Sequence, residues 1–145
     1  MKKIVAGTLL EKDEKFLLIK QNKGKDKDRW WIPAGGVEEG EYIEDAAIRE
    51  AYEESGYNVK LLNIICIYNK LIDDVNPLVG IIFKAQIESG DLNYNPDEIA
   101  DAKWFTYDEI MDMKDQLRSK EALLKSLENH INGNEISLDN IVRVI

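Results

Sequence analysis

Apolar residues first arrive in short runs. "KIVAGTLLE" and "KFLLIKQ" flank a polar turn at residues 12–14 and predict a β-hairpin. "NKGKDKDR" follows, with glycine and alternating charge, and predicts a solvated connection whose Lys23, Lys25, Lys27 or Arg29 offers a basic lip to a phosphate. "WWIPAGGVEEGE" cannot be a helix interior, because proline and glycine cost about 3 and about 1 kcal/mol there. It predicts a shaped loop, in which glycine lets the backbone approach a ligand closely.

From about Tyr42 to Ser55 the period changes. Ile43, Ala47 and Ala51 recur at i, i+4 and i+8, the stripe of an amphipathic helix, and Gly56 is placed to end it. Small alanines on that stripe let the helix lie close to a sheet. "VKLLNIICIY" and "LVGIIFKAQI", separated by the turn-like "DDVNP", predict a second pair of strands, and "AKWF" another short one. Thr106 and Glu109 form a capping-box pattern for a brief helix. A last amphipathic helix spans about Ser119 to Asn132, with Leu123, Leu124, Leu127 and Ile131 inward and Gly133 as its stop. The tail "EISLDNIVRVI" is apolar enough to pack back on the body. The pattern is that of a mixed α/β domain, a sheet covered by helices.

A length of 145 residues fits one domain, residues 1–145, and the 44% apolar and 32% charged fractions are those of a globular chain. A formal charge of −9 argues against a nucleic-acid polymer as partner, since such binding relies on Lys and Arg neutralising phosphates. A small phosphate-bearing metabolite still fits if divalent cations bridge it to acidic side chains. Cys66 is the only cysteine, so no intrachain disulfide forms and a buried structural thiol is expected. The run "IVAGTLL" stops at Glu11, too short for a signal peptide or membrane span, so a cytoplasmic protein with no membrane partner is expected.

The helical stretch "AIREAYEESGY" crowds carboxylates. On a helix, Glu50, Glu53 and Glu54 share an arc of roughly 100°, at i, i+3 and i+4. Side chains so spaced lie about 5–6 Å apart. Each like-charge pair then costs on the order of 3 kcal/mol at an effective dielectric of about 20, and under about 1 kcal/mol in open water. A solvated face tolerates this; a cleft calls for protons or a cation.

"GGVEEGEYIEDAAIREAYEESGY", from Gly35 to Tyr57, resembles the signature of Nudix hydrolases, G-x5-E-x7-R-E-U-x-E-E-x-G-U with U a bulky aliphatic. Gly35, Glu41, Arg49, Glu50, Glu53, Glu54 and Gly56 all fall at the required spacings. The U positions are Ala51 and Tyr57, which depart in shape but remain apolar. "WWIPAGG" and "PDEIADAKWFTYDEI" extend the likeness over residues 1 to about 113.

The resemblance implies an α/β/α sandwich around a mixed sheet, and helix carboxylates that hold Mg²⁺ or Mn²⁺. Carried over residue by residue, Glu50 and Glu54 are metal ligands, Glu53 a further one, and the Gly35 carbonyl completes the site. Arg49 with Glu41 corresponds to the family's structural ion pair. The general base differs among family members, which leaves Glu50, Glu53 and Glu98 as candidates; His130 reads as a surface residue. The implied activity is hydrolysis of a nucleoside diphosphate linked to another group: a nucleoside triphosphate, an oxidised nucleotide, an ADP-ribose-like dinucleotide or a nucleotide sugar. Trp30, Trp31, Tyr68 and Phe83 are aromatic candidates for stacking, against core roles. Two alternatives stand beside this reading: a Nudix-fold nucleotide sensor that does not cleave, and an interaction module, such as a homodimer, built on the C-terminal stripe.

Overall fold

The expected hairpin opens the fold in the computed structural model, which describes residues 3–145 and so leaves Met1 and Lys2 outside. β1 (Lys3–Lys12) turns through Asp13 and Glu14 into β2 (Lys15–Gln21). Both turn residues have positive φ, matching the right-handed twist of the strands they join. The run expected as one shaped loop contributes two short strands, β3 (Trp30–Trp31) and β4 (Ala34–Gly36). Backbone pairing explains the difference: β3 adds to β2, and β4 lies along β1 with Gly35 opposite Ala6. α1 (Ile43–Ser55) follows.

β5 (Tyr57–Ile72) and β6 (Asn76–Gly90) form a long hairpin with three register shifts, and β7 (Ile99–Thr106) returns to pair with β2. α2 (Tyr107–Asp112) begins in the expected capping box of Thr106 and Glu109. α3 (Lys120–Asn132) and the short β8 (Ile136–Ser137), on the edge of β5, complete the chain. All eight strands belong to one mixed sheet, in which β1 runs parallel to β6 with Lys3 opposite Leu78.

Each face of the sheet has its own core. Ala6, Leu10, Tyr57 and Phe83 meet Ala46, Ala47 and Ala51 of α1 on one side. Leu9, Trp31, Ile65 and Ile82 meet Leu123 and Leu127 of α3 on the other. This is the expected α/β/α sandwich. Trp30, Trp31 and Phe83 are core residues, and Cys66 is buried with its thiol pushed up by desolvation. The C-terminal stripe covers the protein's own core, with Leu123 and Leu127 fully buried.

Ile131 departs from the expected inward stripe, being 59% exposed. His130 takes the inward place in that turn, seven positions after Leu123, its ring edge-on to Phe16 at 5.5 Å and its Nε2 3.1 Å from Glu11 Oε2. It is therefore a half-buried packing residue rather than a surface one. The tail packs back only in part. Leu138 and Ile141 join the α1-side core and Arg143 pairs with Glu44 at 3.3 Å, but Val142, Val144 and Ile145 are exposed.

Gly56 ends α1 at φ +82°, where its backbone N–H donates to the Tyr52 carbonyl at 2.8 Å. A Cβ there would run into the Asp91 carbonyl oxygen and crowd Asn93. Gly56→Ala is expected to destabilise the fold by more than about 1 kcal/mol, since the left-handed backbone and the contact both oppose a side chain. Urea unfolding checks this through a lower midpoint at unchanged slope.

Candidate active site

Four small side chains seat α1. Ala46, Ala47, Ala51 and Ser55 are fully buried against the sheet, which draws the flanking glutamates over edge strand β4. Glu54 Oε1 accepts a hydrogen bond from the Ala34 amide at 2.6 Å. A Cβ on Gly35 would overlap the Glu50 carboxyl group, so the glycine is what lets helix and strand close on each other there.

Arg49 gathers the acidic arc. Its Nε and Nη2 donate to the two Glu41 oxygens at 2.8 and 3.0 Å, a bidentate pair, and Nη2 also reaches the Gly36 carbonyl at 3.0 Å. Its Nη1 donates to Glu50 Oε1 at 2.8 Å and Glu53 Oε2 at 3.2 Å. The expected Glu41 pair is thus one spoke of a wider hub that ties the loop before α1 to the helix. Hydrogen bonds from Arg49 hold the Glu41 carboxyl down to about 2, and those bonds in turn raise the guanidinium.

The remaining carboxylates differ in environment. Glu53 is exposed, whereas the Glu50 side chain is 13% exposed and burial raises its carboxyl despite Arg49. Glu54 is pushed up to about 8, chiefly by burial; the Ala34 amide and Arg118 oppose the shift, while Glu50 and Glu98 add to it. Glu98 is exposed, 4.0 Å from Lys23 Nζ, and its charge reaches Glu54 from the segment between β6 and β7. A cavity of about 560 Å³ opens beside the end of α1, bordered by Tyr52, Glu53, Asn58, Asn93 and Tyr94.

Among the described residues, no three acidic, histidine or cysteine side chains converge on one point. Arg49 engages Glu50 and Glu53, and Glu54 turns to the Ala34 amide. The chemistry still fits a hard divalent cation: every donor is oxygen, two carboxylates are desolvated, and the Gly35 cradle keeps Glu50 against β4. Sequence reasoning missed Arg118. Nothing in its local pattern marks an arginine just before α3 as a neighbour of Glu54.

The NUDIX domain family model matches residues 1–126. The chain belongs to the Nudix family. This Nudix domain is 31% identical over 105 residues to the ADP-ribose pyrophosphatase of Methanocaldococcus jannaschii, a match covering 70% of this chain and 60% of that protein. It is 31% identical over 107 residues to the NAD-capped RNA hydrolase NudC of Photorhabdus laumondii, covering 74% of this chain and 39% of that one. The chain thus spans less than two thirds of these relatives. A solved NUDIX hydrolase from Nitrosomonas europaea superposes with a TM-score of 0.87 at 25% identity, covering 99% of this chain and 98% of the other.

A carboxyl raised from 4.5 to about 8 keeps a proton in the folded state that the unfolded chain releases. Its contribution to stability is full below about pH 4.5 and is lost as pH rises toward 8. In EDTA the unfolding free energy is therefore expected to fall from pH 5 to pH 8 by on the order of a few kcal/mol, and the melting temperature with it. Glu54→Gln should flatten that slope, and Mg²⁺ should restore stability at pH 8 in the wild type alone. Thermal melts across pH check all three.

Proposed function

We propose that this Nudix domain, read as one domain over residues 1–145, is a cytoplasmic, metal-dependent pyrophosphohydrolase acting on a nucleoside diphosphate linked to another group. The observation that carries the reading is the pair Glu50 and Glu54, set one turn apart and both desolvated over β4. A structural helix face gains nothing from two such carboxyls; a cation against a diphosphate accounts for both. The names of the relatives, an ADP-ribose pyrophosphatase and a capped-RNA hydrolase, support the bond class.

Nudix hydrolases generally use divalent metals. In this proposal Glu50, Glu53, Glu54 and the Gly35 carbonyl would hold Mg²⁺ or Mn²⁺, which when bound would acidify water and neutralise phosphate charge. Arg49 fixes Glu50 by its 2.8 Å bond and anchors the preceding loop through Glu41 and Gly36. The Ala34 amide holds Glu54 Oε1 and so sets the direction of the other oxygen. The water oxygen forms a bond to phosphorus, the bridging P–O bond breaks, and the water proton passes to a carboxylate. Glu98, exposed and electrostatically coupled to Glu54, is the base this reading favours over Glu53 and Glu50, which Arg49 engages.

Glu54→Gln keeps the shape of the side chain and removes its capacity to become an anionic ligand. Turnover of nucleoside triphosphates, ADP-ribose or nucleotide sugars with Mg²⁺ should fall by more than about 100-fold while the circular dichroism spectrum is unchanged. A phosphate-release screen across these substrates checks the outcome, and full activity in the variant would falsify the reading.

A further inference from the structure

On the α3 side of the sheet basic side chains collect in a chain whose formal charge is −9, and one of them, Arg118, acts electrostatically on Glu54. Cys66 and Tyr68 belong to the α3-side core, and Lys70, two residues further along β5, projects to the same face. Lys70 Nζ donates to Ser119 Oγ at 3.1 Å. The neighbouring Arg118 is fixed at both ends: its amide donates to the Trp30 carbonyl at 2.9 Å, and its Nε lies 3.2 Å from Asp26. Asp26 is the one carboxylate within ion-pair distance of Arg118 among the described residues. Lys3 on β1 extends past Gly36, with its Cε 3.5 Å from where a Cβ on that glycine would sit. Lys3, Lys25 and Arg118 all act on Lys70 as like charges, after desolvation, in lowering its affinity for a proton. Between these groups the half-buried Tyr68 ring covers Gly80, its edge toward Trp31 at 5.9 Å.

These cations are held together against their mutual repulsion, with Asp26 as partial compensation, and the charge of Arg118 reaches the carboxyl of Glu54. We infer that Arg118 and Lys70, with Lys3, bind a phosphate group of the substrate beyond the diphosphate held at the glutamates, so that the preferred substrate class is a nucleotide with a phosphate-terminated chain. The inference rests on the proposed hydrolase reading for its placement. A two-phosphate linkage ending in a neutral sugar brings these cations no substrate anion. A nucleoside triphosphate or longer polyphosphate supplies one. Arg118 offers the planar fork suited to phosphate oxygens, and Asp26, which contacts its Nε, holds that fork in place.

Calorimetric titration of inorganic tripolyphosphate into the full chain with Mg²⁺ tests this. Affinity should fall about 10-fold or more in the double variant Arg118→Ala/Lys70→Ala, and Arg118→Lys should lose less than Arg118→Ala. Melting temperatures within a few degrees of wild type establish that the variants fold; the single Lys70→Ala, which leaves the Arg118 to Asp26 pair intact, provides the same comparison if the double variant does not. Equal tripolyphosphate affinity in wild type and folded variants would overturn the inference. Hydrolysis is assayed on the same preparations. Absence of diphosphate cleavage with the loss of affinity intact would discard the hydrolase reading and leave the anion site standing.

Discussion

The contact on which the rest depends is α1 against the sheet. Alanine at three buried positions brings the helix close enough that the residues beside them can no longer extend freely into water. Glu50 and Glu54 are forced over β4, and only a glycine at position 35 leaves room for the first of them. Larger residues on the same stripe would still form an amphipathic helix, but they would lift the carboxylates away from the strand and return them to solvent. Close packing and unusual charge are therefore one design.

Charge is arranged by environment more than by number. Arg49 serves several acceptors at once: Glu41, Glu50, Glu53 and the Gly36 carbonyl. Glu41 consequently stays a firm anion, while burial makes Glu54, one turn beyond Glu50, hold its proton into the neutral range despite the Ala34 amide. A negative chain thus sets an edge rich in carboxylates against a surface that carries Arg118, Lys70 and Lys3.

Much of this was legible in the sequence. Repeating hydrophobic positions marked the hairpins, α1 and α3, and the Gly35 to Tyr57 motif brought together Glu41, Arg49, Glu50 and Glu54. What escaped depends on contacts between distant segments. β3 and β4 exist because β2 and β1 offer free backbone groups, which composition does not reveal. Ile131 was misplaced because His130 competes for the inward position and wins through Phe16 and Glu11. Arg118 reaches the site only because its backbone bonds to Trp30, far away along the chain.

The parallel pairing of β1 with β6 carries a consequence for how the molecule is made. Lys3 faces Leu78, so β1, made well before β6, cannot meet its central neighbour until residues 13–75 between them have followed. Until then β1 has only β2 and β4 beside it. The signature helix is synthesised in that interval, before β5 and β6 exist to cover its alanines. Such long-range closure is slow compared with local hairpin formation. Assembly of the glutamate cluster is therefore completed late, with closure of the sheet itself, and a nascent chain truncated before β6 has the whole motif but only β1, β2 and β4 on which to set it.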